Sequence, residues 1–389
     1  MRMFYLPKVL RFSIFITLLF PLIVNSAEPV SVTPPPLAGM CDAEISKYCE
    51  GLTIGTGLFR CLIPHKDEAS ENCRAEIEKA TKALKRSGGL NSFSGVMGNM
   101  NMMGSQGPVL TYGGSVAPRT DPTDIRQHKL GISLPVFRNE IDSVSMSLNS
   151  SSLRFGERLY LSKNGTEVPS ELYKIEVGTN FTRKLENERS IGTRFTVGSA
   201  SDRPFQSSKD ITFHVTGFYG FPVQDGDHWM WTVYASNNSP IINYIPIPGF
   251  VYFFRSDKVM GMVGLPFTVI QWMPSELWTY SFSLFGPSVN LEAIYGSSEK
   301  IQTFVGFNWG QQSFLRSDRT ESRDRLFLDE KKIFTGIRTV LGPKLSAELQ
   351  IGHAFGRVLY EGPRFEKRDG GSVDLNSSGF VAWNFRYTF

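Results

Sequence analysis

From about residue 129 onward, apolar and polar residues alternate in segments of roughly ten residues separated by turn-forming clusters. The last segment shows the pattern in full. Val381, Trp383, Phe385, Tyr387 and Phe389 fall on one side, and Ala382, Asn384, Arg386 and Thr388 on the other, because successive side chains of an extended strand point to opposite faces. The same phase recurs at Tyr173, Ile175 and Val177, at Phe195 and Val197, at Phe213 and Val215, and at Trp229 and Trp231. It continues through Val259, Val263, Leu265 and Phe267, then Trp278 and Tyr280, Leu291, Val305, Phe307 and Trp309, and Leu345, Ala347, Leu349 and Ile351. Turns at 255–258, 286–287, 296–299 and 342–343 separate successive segments. The count predicts about 14 antiparallel strands, with a range of about 12 to 16, and an even number is expected of a closed sheet.

A soluble sandwich would alternate too, so the aromatic content decides between them. The chain carries 30 Phe, 13 Tyr and 6 Trp, many near segment ends. A membrane barrel uses such residues as girdles at both interfaces and turns its polar face inward. The fold class read here is therefore all-β, a transmembrane antiparallel β-barrel over residues 125–389. The polar phase nominates Arg194, His214, Asn290, Glu292, Asn308, Glu348, Gln350 and Arg386 for the lumen. Two stretches break the pattern: 149–170, where Asn164-Gly165 fits an extra hairpin, and 241–254, where Pro246 and Pro248 cannot donate to a ladder.

The chain end, Trp383, Phe385, Tyr387 and Phe389 at alternate positions, resembles the C-terminal assembly signal of bacterial outer-membrane barrels. The run from Ile245 to Phe254, with Val263-Gly-Leu-Pro-Phe267, the run from Phe285 to Glu292, and Phe307-Asn-Trp-Gly-Gln-Gln312, is similar to a bacterial outer-membrane β-barrel family of unknown function, over most of residues 125–389. That resemblance implies fold and location, and no chemistry.

The first part of the chain is different. Residues 1–27 read as a secretory signal, with Arg2, Lys8 and Arg11 before an apolar run and Ser26-Ala27 after it. Residues 28–86 hold all four cysteines, Cys41, Cys49, Cys61 and Cys73. In an exported chain this reads as a local framework of two disulfides within a small α-helical module, and the pairing stays open among three connectivities. No two of these cysteines stand at the close spacing a zinc site needs. The pattern Cys41 to Cys49, Gly55-Thr-Gly57 to Cys61, and Ser70-Glu-Asn-Cys73-Arg74 resembles a single cysteine-rich repeat of the Golgi apparatus protein type, which implies an association with protein binding. Residues 87–124 are rich in Gly, Ser, Asn and Met and read as a linker or plug, with Met97, Met100, Met102 and Met103 as adaptable side chains.

Charge and chemistry narrow the function. The formal net charge of +4, three units of which belong to the leader, does not favour nucleic acid. The five histidines have no metal-ligand spacing, and no nucleophilic triad, phosphate loop or carboxylate pair stands out. No cofactor, metal or catalytic residue is predicted. The sequence predicts a Gram-negative outer-membrane barrel with its N-terminal module in the periplasm, a porin-like passive channel or small-solute transporter rather than an enzyme. Alternatives are a surface or structural barrel that binds a protein or glycan through loops or the cysteine-rich module, and an outer-membrane lipid hydrolase. Expected partners are outer-membrane lipid and lipopolysaccharide, the barrel assembly machinery and a small solute. The charged stretch 311–330, with Arg316, Asp318, Arg319 and Arg325, is expected to be a solvated, self-paired loop or to contact lipopolysaccharide.

Overall fold

The computed structural model describes residues 41–48, 62–78, 107–117 and 125–389, apart from 164, 224–226, 257, 276, 297–300, 320 and 343. The signal segment 1–27, Cys49, Cys61 and the methionines Met97, Met100, Met102 and Met103 lie outside the described residues. The chain divides into two units, Met1–Ser87 and Gly88–Phe389.

In the first unit, α1 (Asp42–Tyr48), a 3-10 turn (Ile63–Glu68) and a helical stretch at residues 71–78 surround a small core of Cys41, Leu62, Ala69, Cys73 and Ile77. Cys41 and Cys73 are bridged. With so little apolar surface to bury, a unit of this size depends on such a staple. Glu44 ties the helices together: its Oε1 accepts from the Ser70 hydroxyl at 2.6 Å and from the Ser70 N–H at 2.9 Å. These two bonds hold the Glu44 carboxyl below the usual carboxylate range.

The second unit is a ring of strands: β1 (Val109–Val116), β2 (Arg126–Arg138), β3 (Asp142–Arg154), β4 (Glu171–Lys184), β5 (Ser190–Ser201), β6 (Ile211–Pro222), β7 (His228–Ser236), β8 (Ile247–Arg255), β9 (Val259–Leu265), β10 (Phe267–Trp272), β11 (Trp278–Phe285), β12 (Ser288–Gly296), β13 (Ile301–Phe314), β14 (Arg325–Gly342), β15 (Leu345–Gly362) and β16, which runs in two segments, Gly371–Leu375 and Ser378–Thr388. Both segments of β16 pair with β15, so they form one strand. Every strand is antiparallel to its sequence neighbours, and β16 pairs with β1 from Val109 opposite Thr388 to Val116 opposite Val381. The result is a closed barrel of 16 strands, two more than the alternation gave.

The two extra strands have identifiable causes. β1 lies inside 87–124, where Gly113 and Gly114 interrupt the apolar rhythm. Val259 to Phe267, read as one strand, is a hairpin that turns at the single residue Pro266. Phe267 consequently faces inward and is buried, whereas Leu265 is 73% exposed.

Short connections such as 139–141, 185–189 and 256–258 lie at one end of the ring, with the chain terminus. The long ones, 155–170, 202–210, 237–246, 315–324 and 363–370, lie at the other. The loop 155–170 contains the extra hairpin expected there, with Leu161 and Val168 N–H groups donating to Thr166 and Leu159. Alternate residues line the inside. There, aromatic rings lie flat over cross-strand glycines, as Phe334 does over Gly306, where an added Cβ would meet the ring at 2.5 Å.

Two outcomes test these features. Ser115→Cys with Ala382→Cys, directly opposite across the closing ladder, should cross-link spontaneously, seen as a disulfide-linked peptide by mass spectrometry; separate peptides would contradict closure. The Glu44 carboxyl binds protons less readily folded than unfolded, so its contribution is present at neutral pH and is lost as pH falls through the carboxylate range. Glu44→Gln should lower the melting temperature of the first unit's helical signal at pH 7 and flatten its acid dependence.

Candidate functional site

The chemistry-bearing residues concentrate on the inner face of the ring. Arg194, His214, Asn290, Glu292, Asn308, Glu348, Gln350 and Arg386 all project inward, opposite in phase to the outward Phe195, Leu291, Val305, Leu349 and Phe385, which are 43–53% exposed. The fold brings several of them together. Arg338 of β14 donates to Glu348 at 2.6 and 2.7 Å and stands 3.8 Å from Glu292. Gln350 donates to the other Glu348 oxygen at 2.6 Å, and Asn290 meets Asn308 at 3.5 Å. His214 shares Nδ1 with the Tyr234 hydroxyl at 3.2 Å and sets Nε2 3.2 Å from Glu176, whose carboxylate also holds Lys174 at 3.2 Å. No serine or threonine hydroxyl is hydrogen-bonded to His214 among the described residues. Arg194 and Arg386 stand apart, with no ion pair or hydrogen bond among the described residues.

Further inward charges include Lys129 of β2, Lys174 and Glu176 of β4, Glu330, Lys332 and Arg338 of β14, and Arg357 and Glu361 of β15. Most were legible. Glu176 alternates with Ile175 and Val177, and Lys332 and Arg338 alternate with Ile333 and Ile337. Arg357 was not, because β15 carries a bulge at Gly356, whose φ is +54°, and the inward phase shifts by one residue there. Lys332 binds Glu330 at 2.5 Å, and Arg357 stands 3.8 Å from the same carboxylate. On the opposite arc the inner face is apolar: Phe218, Met230, Val251, Met260, Met262 and Val269 cluster across β6 to β10.

Contacts cross the ring at the loop end. Strands β5 and β13 are eight apart in a ring of sixteen and so stand across its diameter, yet Leu315 N–H donates to Ala200 carbonyl at 2.6 Å and Ser201 bridges Leu315. Gln127 of β2 likewise reaches Gln312 of β13 at 3.1 Å. Inward-facing Leu153, Leu172 and Ala200 from one wall pack against Phe314, Leu326, Leu328 and Leu359 from the other, all 0–2% exposed. The connection 315–324 then crosses to neighbouring loops. Ser317 donates to Asp202 through its N–H and its hydroxyl, Arg319 reaches Asp210 at 3.3 Å and the Lys209 carbonyl at 2.6 Å, and Arg325 reaches the Asn237 carbonyl at 2.7 Å. Arg316, 4% exposed, joins Asp318 and Glu361. Of the stretch 311–330 only 315–324 is a connection; its charges pair within it, as Arg316 does with Asp318, and with neighbouring loops, so it is partly buried rather than fully solvated. Its flank Asp324 has its carboxyl pushed up by burial and by the like charges of Glu321 and Asp369.

No family model and no curated protein matches this chain. Solved structures similar to it include the β domain of the Bordetella autotransporter BrkA, at 9% identity over 73% of this chain and 99% of that one, with a TM-score of 0.27. The Pseudomonas putida toluene transporter TodX is similar at 9% identity over 73% and 90%, with a TM-score of 0.31. An outer-membrane channel from Pseudomonas putida F1 is similar at 5% identity over 73% and 95%, also with a TM-score of 0.31.

The loop-end contacts have a measurable energy. Arg319 and Asp210 are 6% and 2% exposed, so removing one partner strands a buried charge and should cost about 3–5 kcal/mol. Asp210→Ala alone should lower the urea midpoint and open 315–324 to protease, while adding Arg319→Ala should restore part of the loss. Equal stability of all three proteins would remove the pair from these contacts.

Proposed function

We propose that this chain is an outer-membrane β-barrel channel for small solutes, held shut at its loop end by its own connections. The support for a membrane location is the outer face. On β14 it runs Ile333, Thr335, Ile337, Thr339, Leu341 and is bounded above by Asp329 and Lys331. Ile333 to Leu341, at about 3.4 Å per residue and a tilt of about 40°, gives about 21 Å, close to an apolar band of about 25 Å. Rings gather at the short-turn end, where Trp278 stacks on Tyr280 and packs on Tyr295, and Tyr387 packs on Phe389, as an interfacial girdle requires. At the upper edge Trp309 donates to Asp329 at 2.8 Å and lies under the Lys331 ammonium.

The observation that carries the channel reading is a closed ring with a charged inner face, shut by side-chain and loop contacts rather than by barrel ladders. The ladders that make the wall can persist while Ser317, Arg319 and Arg325 let go, which is the architecture of a gate. A second reading, a surface barrel that binds a partner, draws on the dryness of the seal, whose leucines are fully buried.

Planar-bilayer recording separates the two. The native barrel should conduct little. Leu326→Ser with Leu328→Ser, or Asp210→Ala, should raise open probability by roughly tenfold or more, since about 1.4 kcal/mol is a tenfold population change. In the opened barrel Arg338→Gln or Glu348→Gln should alter conductance, while Leu349→Ala on the lipid face leaves it unchanged. Opened variants that insert correctly yet pass no current would favour the binding reading.

A further inference from the structure

The inward charges do not balance, and the excess sits in one place. Arg338 and Arg386 match Glu292 and Glu348 in number, but five further inward cations, Lys129, Lys174, Arg194, Lys332 and Arg357, face only the two carboxylates Glu176 and Glu330. Each carboxylate is already shared: Glu176 by Lys174 and His214, Glu330 by Lys332 and Arg357. Lys129 and Arg194 therefore have no ion-pair or hydrogen-bond partner among the described residues. The register concentrates the charge further. Lys129, Ser151 and Lys174 are directly opposite one another on β2, β3 and β4, all pointing inward. With strands about 4.8 Å apart, the two lysine backbones stand about 10 Å apart, and their four-carbon stems can bring both ammoniums to one ligand. Small neighbours, Gly113 on one side and Ser151 on the other, flank Lys129 in its row and leave its head exposed to the interior. Lys129 also feels the charges of Lys332 and Glu330 from the far side of the seam.

Like charges gathered in an enclosed space repel, and the repulsion is relieved by an anion held between them. We propose that the lumen beneath the seal binds a small oxyanion of charge −2 or more, a phosphate or polycarboxylate group, between Lys129, Lys174 and Lys332, with Arg194 on its approach. Lysine ammoniums suit this task as rotatable point charges that each offer three donors. With the loop end shut, the anion enters from the short-turn end. This names the solute class of the channel proposed above and rests on that reading for its route, but not for binding itself.

Calorimetry on the purified, folded full-length barrel tests it, with inorganic phosphate and citrate as probes in chloride buffer. The native protein should bind at least one of them, with an affinity that falls as salt rises. Lys129→Gln should weaken binding by tenfold or more, and Leu349→Ala should not. Heat-modifiable gel mobility establishes that each variant is folded. In bilayers, the seal-opened barrel should prefer anions, and Lys129→Glu with Arg194→Glu should shift its reversal potential toward cations. Absence of phosphate and citrate binding by the folded native barrel overturns the inference, as does binding indifferent to Lys129→Gln. The channel reading fails separately: binding without current in opened variants leaves the anion site and removes the channel, whereas current without any anion preference does the reverse.

Discussion

Closure of the hydrogen-bond ladder governs everything else in the second unit. A sheet of this size with free edges would expose a row of unpaired N–H and C=O groups at each side, and in an apolar surrounding nothing would satisfy them. The pairing of β1 with β16 removes both edges at once. Once the ring closes, each residue's phase fixes whether its side chain meets the exterior or the interior. The exposed Leu349 and the inward Arg338–Glu348 pair follow from that single geometric fact.

Strand length varies around the ring. β14 and β15 have 18 residues each and β13 has 14, and across the ring β2 to β4 have 13 or 14. β9 and β10 have only 7 and 6. The tall strands are thus about twice the length of the short ones or more. At the loop end β13 to β15 meet β3 to β5. That is why Phe314, Leu326 and Leu328, inward in phase, find Leu153 and Leu172 instead of water. The bulge at Gly356 adds local twist in the same region.

The sequence made the alternation legible wherever an outward apolar residue stood beside an inward polar one, as at Phe385 and Arg386 or Leu291 and Glu292. It failed where both faces had the same character. The inward Leu326, Leu328 and Leu359 break the rule that a lumen is polar, because they face an opposing wall that only the tertiary arrangement supplies. β1 was hidden by its glycines, which pack against Trp383 and its carbonyl across the seam rather than contributing side chains of their own. The hairpin at Pro266 was hidden because one residue suffices to reverse the chain there, too short a turn for any composition signal. Lys129 was visible in phase, but its significance depends on Ser151 and Lys174, which lie opposite only once the register is known.

The seal and the charge imbalance beneath it belong together. In an aqueous pore open at both ends, an excess of inward cations would be screened by mobile counterions within a Debye length of about 8–10 Å. Behind a dry plug of leucine and phenylalanine the space is smaller and the screening poorer, so each fixed charge acts more strongly on what enters. Glu176 holds Lys174, and Glu330 holds Lys332 with Arg357 3.8 Å away, which anchors these three cations. Lys129 is left as the unpinned charge between the two anchored groups. An interior built this way is preorganised: the anchored pairs fix the geometry, the free lysine supplies the attraction, and the closed mouth keeps bulk water from cancelling it.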